Sequence, residues 1–221
     1  MKTALYLVPL LAGTVFFLIR AGILGNQRQI YVLKPISTLI VIAVASLSLV
    51  QPERNMVYAV GVLLGLTLSF GGDVALMFQE KCRAFTVGLG LFLLAHIAYA
   101  VVFAVLGRVS WWDVVSTVVL LAAGVGVYIV LKANLGAMRI PVIAYIVVIS
   151  VMVSRAVSTL SSPIFGAGQA MMVALGAVLF YLSDVILAAS RFWKPWRYHR
   201  IGLAFYYSGQ LLIALAASYF G

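Results

Sequence analysis

Only five of the 221 residues are acidic, two are histidine and one is cysteine, and charged residues of all kinds make up 9% of the chain. Each shortage excludes something. With a single cysteine, Cys82, no disulfide can form within the chain. Two histidines, His96 and His199, have no ligand spacing between them, whereas a hydrolytic zinc site takes several histidines or histidines with carboxylates. No glycine-rich phosphate loop follows a strand pattern, and no GxSxG nucleophile elbow is present. No cofactor or metal is therefore expected. The scarcity of charge beside 65% hydrophobic residues excludes a soluble domain, because 23.8 kDa of chain could not bury that much apolar surface. The composition is that of an all-α, polytopic membrane protein.

Apolar runs of about 20 residues match the thickness of a bilayer core. Eight are expected, at 4–19, 31–50, 56–78, 85–106, 113–131, 140–160, 168–189 and 201–220, in a single integral membrane domain over 1–221. The stretch after Lys2 lacks a small-residue cleavage site and reads as the first span. Orientation follows from the basic residues. One set of loops receives Arg20, Arg28, Lys34, Lys81, Arg83, Lys132, Arg139, Arg191, Lys194, Arg197 and Arg200; the other receives Lys2, Arg54, Arg108 and Arg155. That bias predicts an inner-membrane protein of bacterial type with both termini outside and the first set in the cytoplasm. Trp111 and Trp112 would then mark the outer interface, and Trp193 and Trp196 the inner one. The net charge of +10 faces membrane lipids under this reading and needs no nucleic acid.

Against this background two carboxyls stand out. Asp73 lies in LGLTLSFGGDVALMF and Asp184 in LGAVLFYLSDVILAA, both inside predicted spans. An ionisable group at membrane depth is costly, and by default it marks function. A shift of 111 residues superposes them, and with them Leu64 on Leu175, Gly65 on Gly176, Leu68 on Leu179, Val74 on Val185 and Leu76 on Leu187. The same shift maps spans 1–4 onto spans 5–8, a parallel repeat of 1–110 and 111–221 about an axis along the membrane normal. Asp73 precedes Glu80 by seven residues and Asp184 precedes Arg191 by seven, which predicts two carboxyls at matching depth, about 10 Å inside the cytoplasmic boundary.

Around the pair, Ser69 shares a helix face with Asp73, and Ser183 precedes Asp184. His96 and Tyr99 share a face of span 4; Tyr206, Tyr207 and Gln210 form the polar group of span 8. Lys34 reads as a topology residue or as a cation beside a phosphate or a carboxylate, and Pro35 beside it as a first-turn proline. Tyr145 in PVIAY completes the candidates. Each polar side chain has a bland alternative as an interhelical hydrogen-bond partner. The glycines Gly61 and Gly65 read as close helix packing.

YVLKP at 31–35, SFGGD at 69–73, LFLLAHIAYAVVF at 91–103, PVIAY at 141–145, LGAVLFYLSD at 175–184 and YYSGQLLIALA at 206–216 occur in the order in which the YhhN family, the membrane lysoplasmalogenases, carries them. The chain resembles that family over nearly its whole length. The resemblance implies an eight-helix enzyme that cleaves the vinyl-ether bond of a lysophospholipid substrate into a fatty aldehyde and a glycerophospho-base. Vinyl-ether hydrolysis needs a proton donor and a carboxylate to stabilise the oxocarbenium ion, the division of labour that glycosidases make between two carboxyls. Asp73 and Asp184 are the expected catalytic pair, in either assignment. Lys34 is the candidate for the headgroup phosphate, with His96, Tyr207 and Gln210 orienting the pair or a water. The alternative from another class is a proton-coupled transporter of lipids or small molecules, using the same aspartates.

Overall fold

The computed structural model describes residues 2–52, 54–194 and 199–219; the side chains of Lys2, Trp196, Arg197 and His199 lie outside what is described. Among the described residues the chain forms eight α-helices, with four short 3-10 helices between them, and no strand: α1 Lys2–Ile23, α2 Gln27–Ser46, α3 Met56–Leu76, α4 Cys82–Leu106, α5 Trp111–Leu131, α6 Arg139–Ser158, α7 Ala167–Phe192 and α8 Gly202–Ala216. Seven are long and apolar enough to cross a membrane; α8 is equally apolar but has 15 residues. The protein is an all-α polytopic membrane protein.

Local chemistry sets the helix ends. Gly25, at φ 71°, closes α1 in a conformation that a side chain would resist, and Asn26 then caps α2 by accepting from the Gln29 amide at 3.2 Å. Asn55 caps α3 in the same way through Tyr58, at 3.0 Å. Ser110 and Asp113 form a capping box on α5. Because Asn26 starts α2 so early, Pro35 is not in a first turn, as the sequence suggested, but in the interior of the helix. A proline there donates no hydrogen bond to the carbonyl four residues back, that of Tyr31.

Two helix hairpins, α3–α4 and α7–α8, form the tightest packing, with α2 laid on α8 and α6 on α4. Glycines permit the close approach. A Cβ on Gly61 would lie 2.0 Å from the Val102 side chain, one on Gly65 2.3 Å from the Tyr99 ring, and one on Gly176 2.8 Å from the Gly209 carbonyl. Fully buried Tyr99 cannot retreat, since it donates to Gln210 at 2.8 Å. Gly65→Ala is therefore expected to destabilise the protein by about 1–3 kcal/mol through overpacking. Gly90→Ala, where nothing lies within 4 Å, should be neutral or slightly stabilising. Thermal unfolding of the two variants in detergent checks the contrast; equal midpoints would mean that the α3–α4 seam is looser than described. Val114, Val118, Leu121, Val125 and Ile129 on α5 are exposed, as side chains facing lipid tails would be.

Candidate active site

Asp73 is 2% exposed, near the end of α3. Lys34 from α2 places its Nζ 3.1 Å from Oδ1 and 3.2 Å from the Asp73 carbonyl oxygen. Thr38, one turn along α2, donates to Oδ2 at 2.7 Å, and Tyr206 from α8 donates to the same oxygen at 2.8 Å. Tyr207 holds the other side of this arrangement, donating to the Lys34 carbonyl at 3.0 Å. A cation and two hydroxyl donors thus complement a carboxylate, which is what a buried charge requires. The helix beyond Asp73 is shorter than expected. α3 stops at Leu76, and the Asp73 carbonyl is shared between Lys34 and the Met77 amide, after which the chain turns through i→i−3 bonds. Asp184, by contrast, is followed by helix as far as Phe192. The seven-residue spacing from which a matching depth was expected thus runs through continuous helix only from Asp184 to Arg191, and not from Asp73 to Glu80.

Asp184 has a different set of partners. Tyr145 from α6 donates to Oδ2 at 2.6 Å, and Nε2 of His96 from α4 is 3.6 Å from the same oxygen. The other ring nitrogen, Nδ1, lies 2.6 Å from the Phe92 carbonyl oxygen. A carbonyl only accepts, so Nδ1 carries a hydrogen and a neutral imidazole presents a lone pair at Nε2. Nε2 and Oδ2, both acceptors in that tautomer, face each other at 3.6 Å, beyond hydrogen-bond distance, and Nε2 is buried without a hydrogen-bond partner. The ring is fixed by Phe180 and Tyr145, with centroids at 4.6 and 5.3 Å. No lysine or arginine pairs with Asp184 among the described residues.

Both carboxyls line one cavity of about 240 Å³, with Lys34, Ser183 and Tyr206 beside them and Glu80, Arg191 and Arg200 nearer the mouth. A second cavity of about 320 Å³, between Gln27, Tyr31, Gln79 and Glu80, shares Lys34 and Arg200 with it. On the other flank an apolar slot, bounded by Phe85, Leu89, Val127, Leu131 and Tyr145, reaches Asp184. Polar cavity and apolar slot meet at that carboxyl.

The structure brings Asp73, Asp184, Lys34, His96, Tyr145, Ser183, Tyr206 and Tyr207 together. Tyr99 and Gln210 bond each other and touch neither carboxylate; Ser69 is buried one turn before Asp73 without a hydrogen bond to either. Lys34 stands beside a carboxylate, one of the two roles that its position allowed. Thr38 was missed, although it lies four residues after Lys34 on the same helix face, which was the available signal. Another buried acid, Asp113, is ion-paired with Arg155 between the start of α5 and the end of α6, outside the lining of both cavities.

A helical membrane bundle with two unlike carboxyls on one polar cavity, and an apolar slot beside it, is a class of site suited to amphiphiles. The chain belongs to the YhhN family, whose model matches residues 29–217. It is 32% identical over 166 residues to lysoplasmalogenase TMEM86A of Bos taurus, which covers 72% of this chain and 65% of the relative. It is 31% identical over 153 residues to human lysoplasmalogenase TMEM86B, covering 69% and 61%, and 34% identical over 132 residues to a lysoplasmalogenase of Mycobacterium bovis, covering 58% and 48%. The chain thus spans less than two thirds of the length of each of these relatives. No solved structure is significantly similar to it.

Proposed function

We propose that this protein hydrolyses the vinyl-ether bond of lysoplasmalogens, with Asp184 as proton donor and Asp73 as the carboxylate that steadies the cation and directs water. The observation that carries the reading is the inequality of two carboxyls on one cavity. Asp73 is matched to Lys34, Thr38 and Tyr206, while Asp184 faces an imidazole lone pair that calls for a proton. Relatives named lysoplasmalogenase support the substrate class.

In this mechanism the Asp184 unit delivers a proton to the enol-ether carbon farther from oxygen. The carbon bound to oxygen becomes an oxocarbenium centre, which the Asp73 carboxylate stabilises across a low-dielectric cavity. Water adds to that centre and gives its proton to Asp73. The resulting hemiacetal collapses: its hydroxyl proton passes to Asp184 as the carbonyl forms, and Asp73 gives the proton it took from water to the departing glycerol oxygen, which returns both carboxyls to their starting states. One water is consumed, and fatty aldehyde and glycerophospho-base are released. The apolar slot beside Asp184 suits the alkenyl chain, and the polar cavity suits the glycerol and headgroup.

The site opens at the end of the bundle that carries most of the basic residues, which supports an active site toward the cytoplasmic leaflet and both termini outside. The two halves also read as a duplication. Helices α1–α3, moved by 111 residues, fall on α5–α7 within a few residues at each end, and α8 lies inside the shifted α4. Site residues correspond too: Lys34 with Tyr145, Asp73 with Asp184, His96 with Tyr207, and Tyr99 with Gln210.

The test is hydrolysis of a purified lysoplasmalogen in heavy water, with immediate reduction of the aldehyde. One deuterium on the carbon next to the carbonyl is expected, alongside a slowed rate. Aldehyde without that deuterium would remove the carbon-protonation step, and no aldehyde from folded protein would remove the reading.

A further inference from the structure

We propose that Arg200 is the contact for the phosphate of the substrate headgroup and that Gly22 of α1 exists to seat it; the inference rests on the lysolipid reading above. Three described cations line the cavity that holds the two carboxyls: Lys34, Arg191 and Arg200. Lys34 is committed to Asp73. The Arg191 guanidinium, on an exposed residue near the end of α7, lies over the Phe85 ring, 4.9 Å from its centroid. Arg200 makes no ion pair among the described residues, and its Nε is buried without a hydrogen-bond partner. A buried donor left unmade is costly, and such a group in a binding cavity asks for an acceptor.

The placement is built. Arg200 precedes α8, and its stem crosses to α1, where a Cβ on Gly22 would come within 2.9 Å of its Cγ and 3.0 Å of its Cδ. Any side chain at position 22 would lift the stem. So seated, Arg200 borders both the carboxylate cavity and the neighbouring one of about 320 Å³. In a lysoplasmalogen the phosphate is only a few bonds from the vinyl ether, so an anion held at the mouth sets the reacting carbon near the carboxyls inside. The guanidinium fork suits a phosphate, which it can grip with two parallel hydrogen bonds. Exposed Glu80, lining both cavities, lies where the cationic end of a choline or ethanolamine headgroup would emerge.

The experiment compares two substrates in mixed micelles, a choline lysoplasmalogen and the 1-alkenylglycerol that lacks its phosphate. Arg200→Gln is expected to raise KM for the phospholipid about tenfold or more, the loss typical of a charge-assisted hydrogen bond. Its kcat should change far less, and KM for the alkenylglycerol should stay as in wild type. Arg200→Lys should fall between, and Gly22→Val should shift KM in the same direction with every charge retained. Should Arg200→Gln fail to fold, Gly22→Val and Arg200→Lys carry the test. A KM ratio between the two substrates that is unchanged in the folded variants overturns the proposal. Should wild type release no aldehyde, binding of the saturated 1-alkyl lysophosphocholine and of 1-alkylglycerol decides separately. Weakening of the former alone by about tenfold in Arg200→Gln keeps the phosphate site while the chemistry falls. Equal loss, or none, ends it.

Discussion

Asp184→Asn and Asp73→Asn are each expected to lower kcat for aldehyde release by about 10²–10⁴, the range for losing a positioned acid or base. The two losses have different origins. Asparagine at 184 keeps the shape and still accepts from Tyr145, but has no acidic proton to pass to carbon. Asparagine at 73 leaves the donor intact and removes the negative charge facing the oxocarbenium centre. It also strands the Lys34 ammonium, now 3.1 Å from a neutral amide instead of a carboxylate. The Asp184 variant should therefore unfold near the wild-type temperature, and the Asp73 variant well below it. Trapping the aldehyde as a hydrazone while following unfolding in the same detergent measures both. Near-normal turnover in the two variants would end the two-carboxyl mechanism.

Lys34→Met is the second large effect, and it concerns the fold as much as the chemistry. Breaking a buried ion pair from one side costs about 3–5 kcal/mol, because the remaining charge keeps its desolvation penalty and loses its partner. The carboxylate would retain Thr38 and Tyr206, so the loss should fall toward the low end of that range. The double variant Lys34→Met, Asp73→Asn removes both charges and should recover much of the stability while remaining inactive. A coupling energy of 1 kcal/mol or more between the two positions is the expected signature of a direct pair. Additive losses would mean that the pair contributes little and that Lys34 acts mainly through the Asp73 carbonyl.

Hydropathy alone gave the helices, because eight apolar runs of about membrane length leave few other structures open to them, although the last, expected over 201–220, forms a helix of only 15 residues. Boundaries were harder. The polar stretch before Pro35 read as loop, yet Asn26 caps a helix there and carries Pro35 into its interior. Asp73 and Asp184 were legible because a carboxyl in an apolar run has no cheap explanation, whereas Lys34, at the start of a run, also read as a topology residue. Thr38 was not, since a threonine in such a run commonly bonds its own helix backbone. The proposed assignment of donor and carboxylate was beyond reach for a plainer reason. It depends on what faces each oxygen, and those partners come from α2 and α8 for one aspartate and from α4 and α6 for the other. The seat of Arg200 on Gly22 joins residues at opposite ends of the chain, and nothing at either position announces it.

The hydrogen bond between Tyr99 and Gln210 joins a position to its own counterpart 111 residues on. Under the proposed duplication, such a contact can lie only on the axis relating the halves. In an ancestor of two identical chains it would have been one side chain meeting its own copy across a dyad, with both carboxyls in identical surroundings. Two equivalent acids compete for a proton on equal terms, and neither is set aside as donor. Fusion into one chain would have let Lys34 and Tyr145, in corresponding places under that duplication, become different residues. The division of labour proposed for Asp73 and Asp184, with one fixed donor and one fixed carboxylate, is something a symmetric pair of chains has no means to encode.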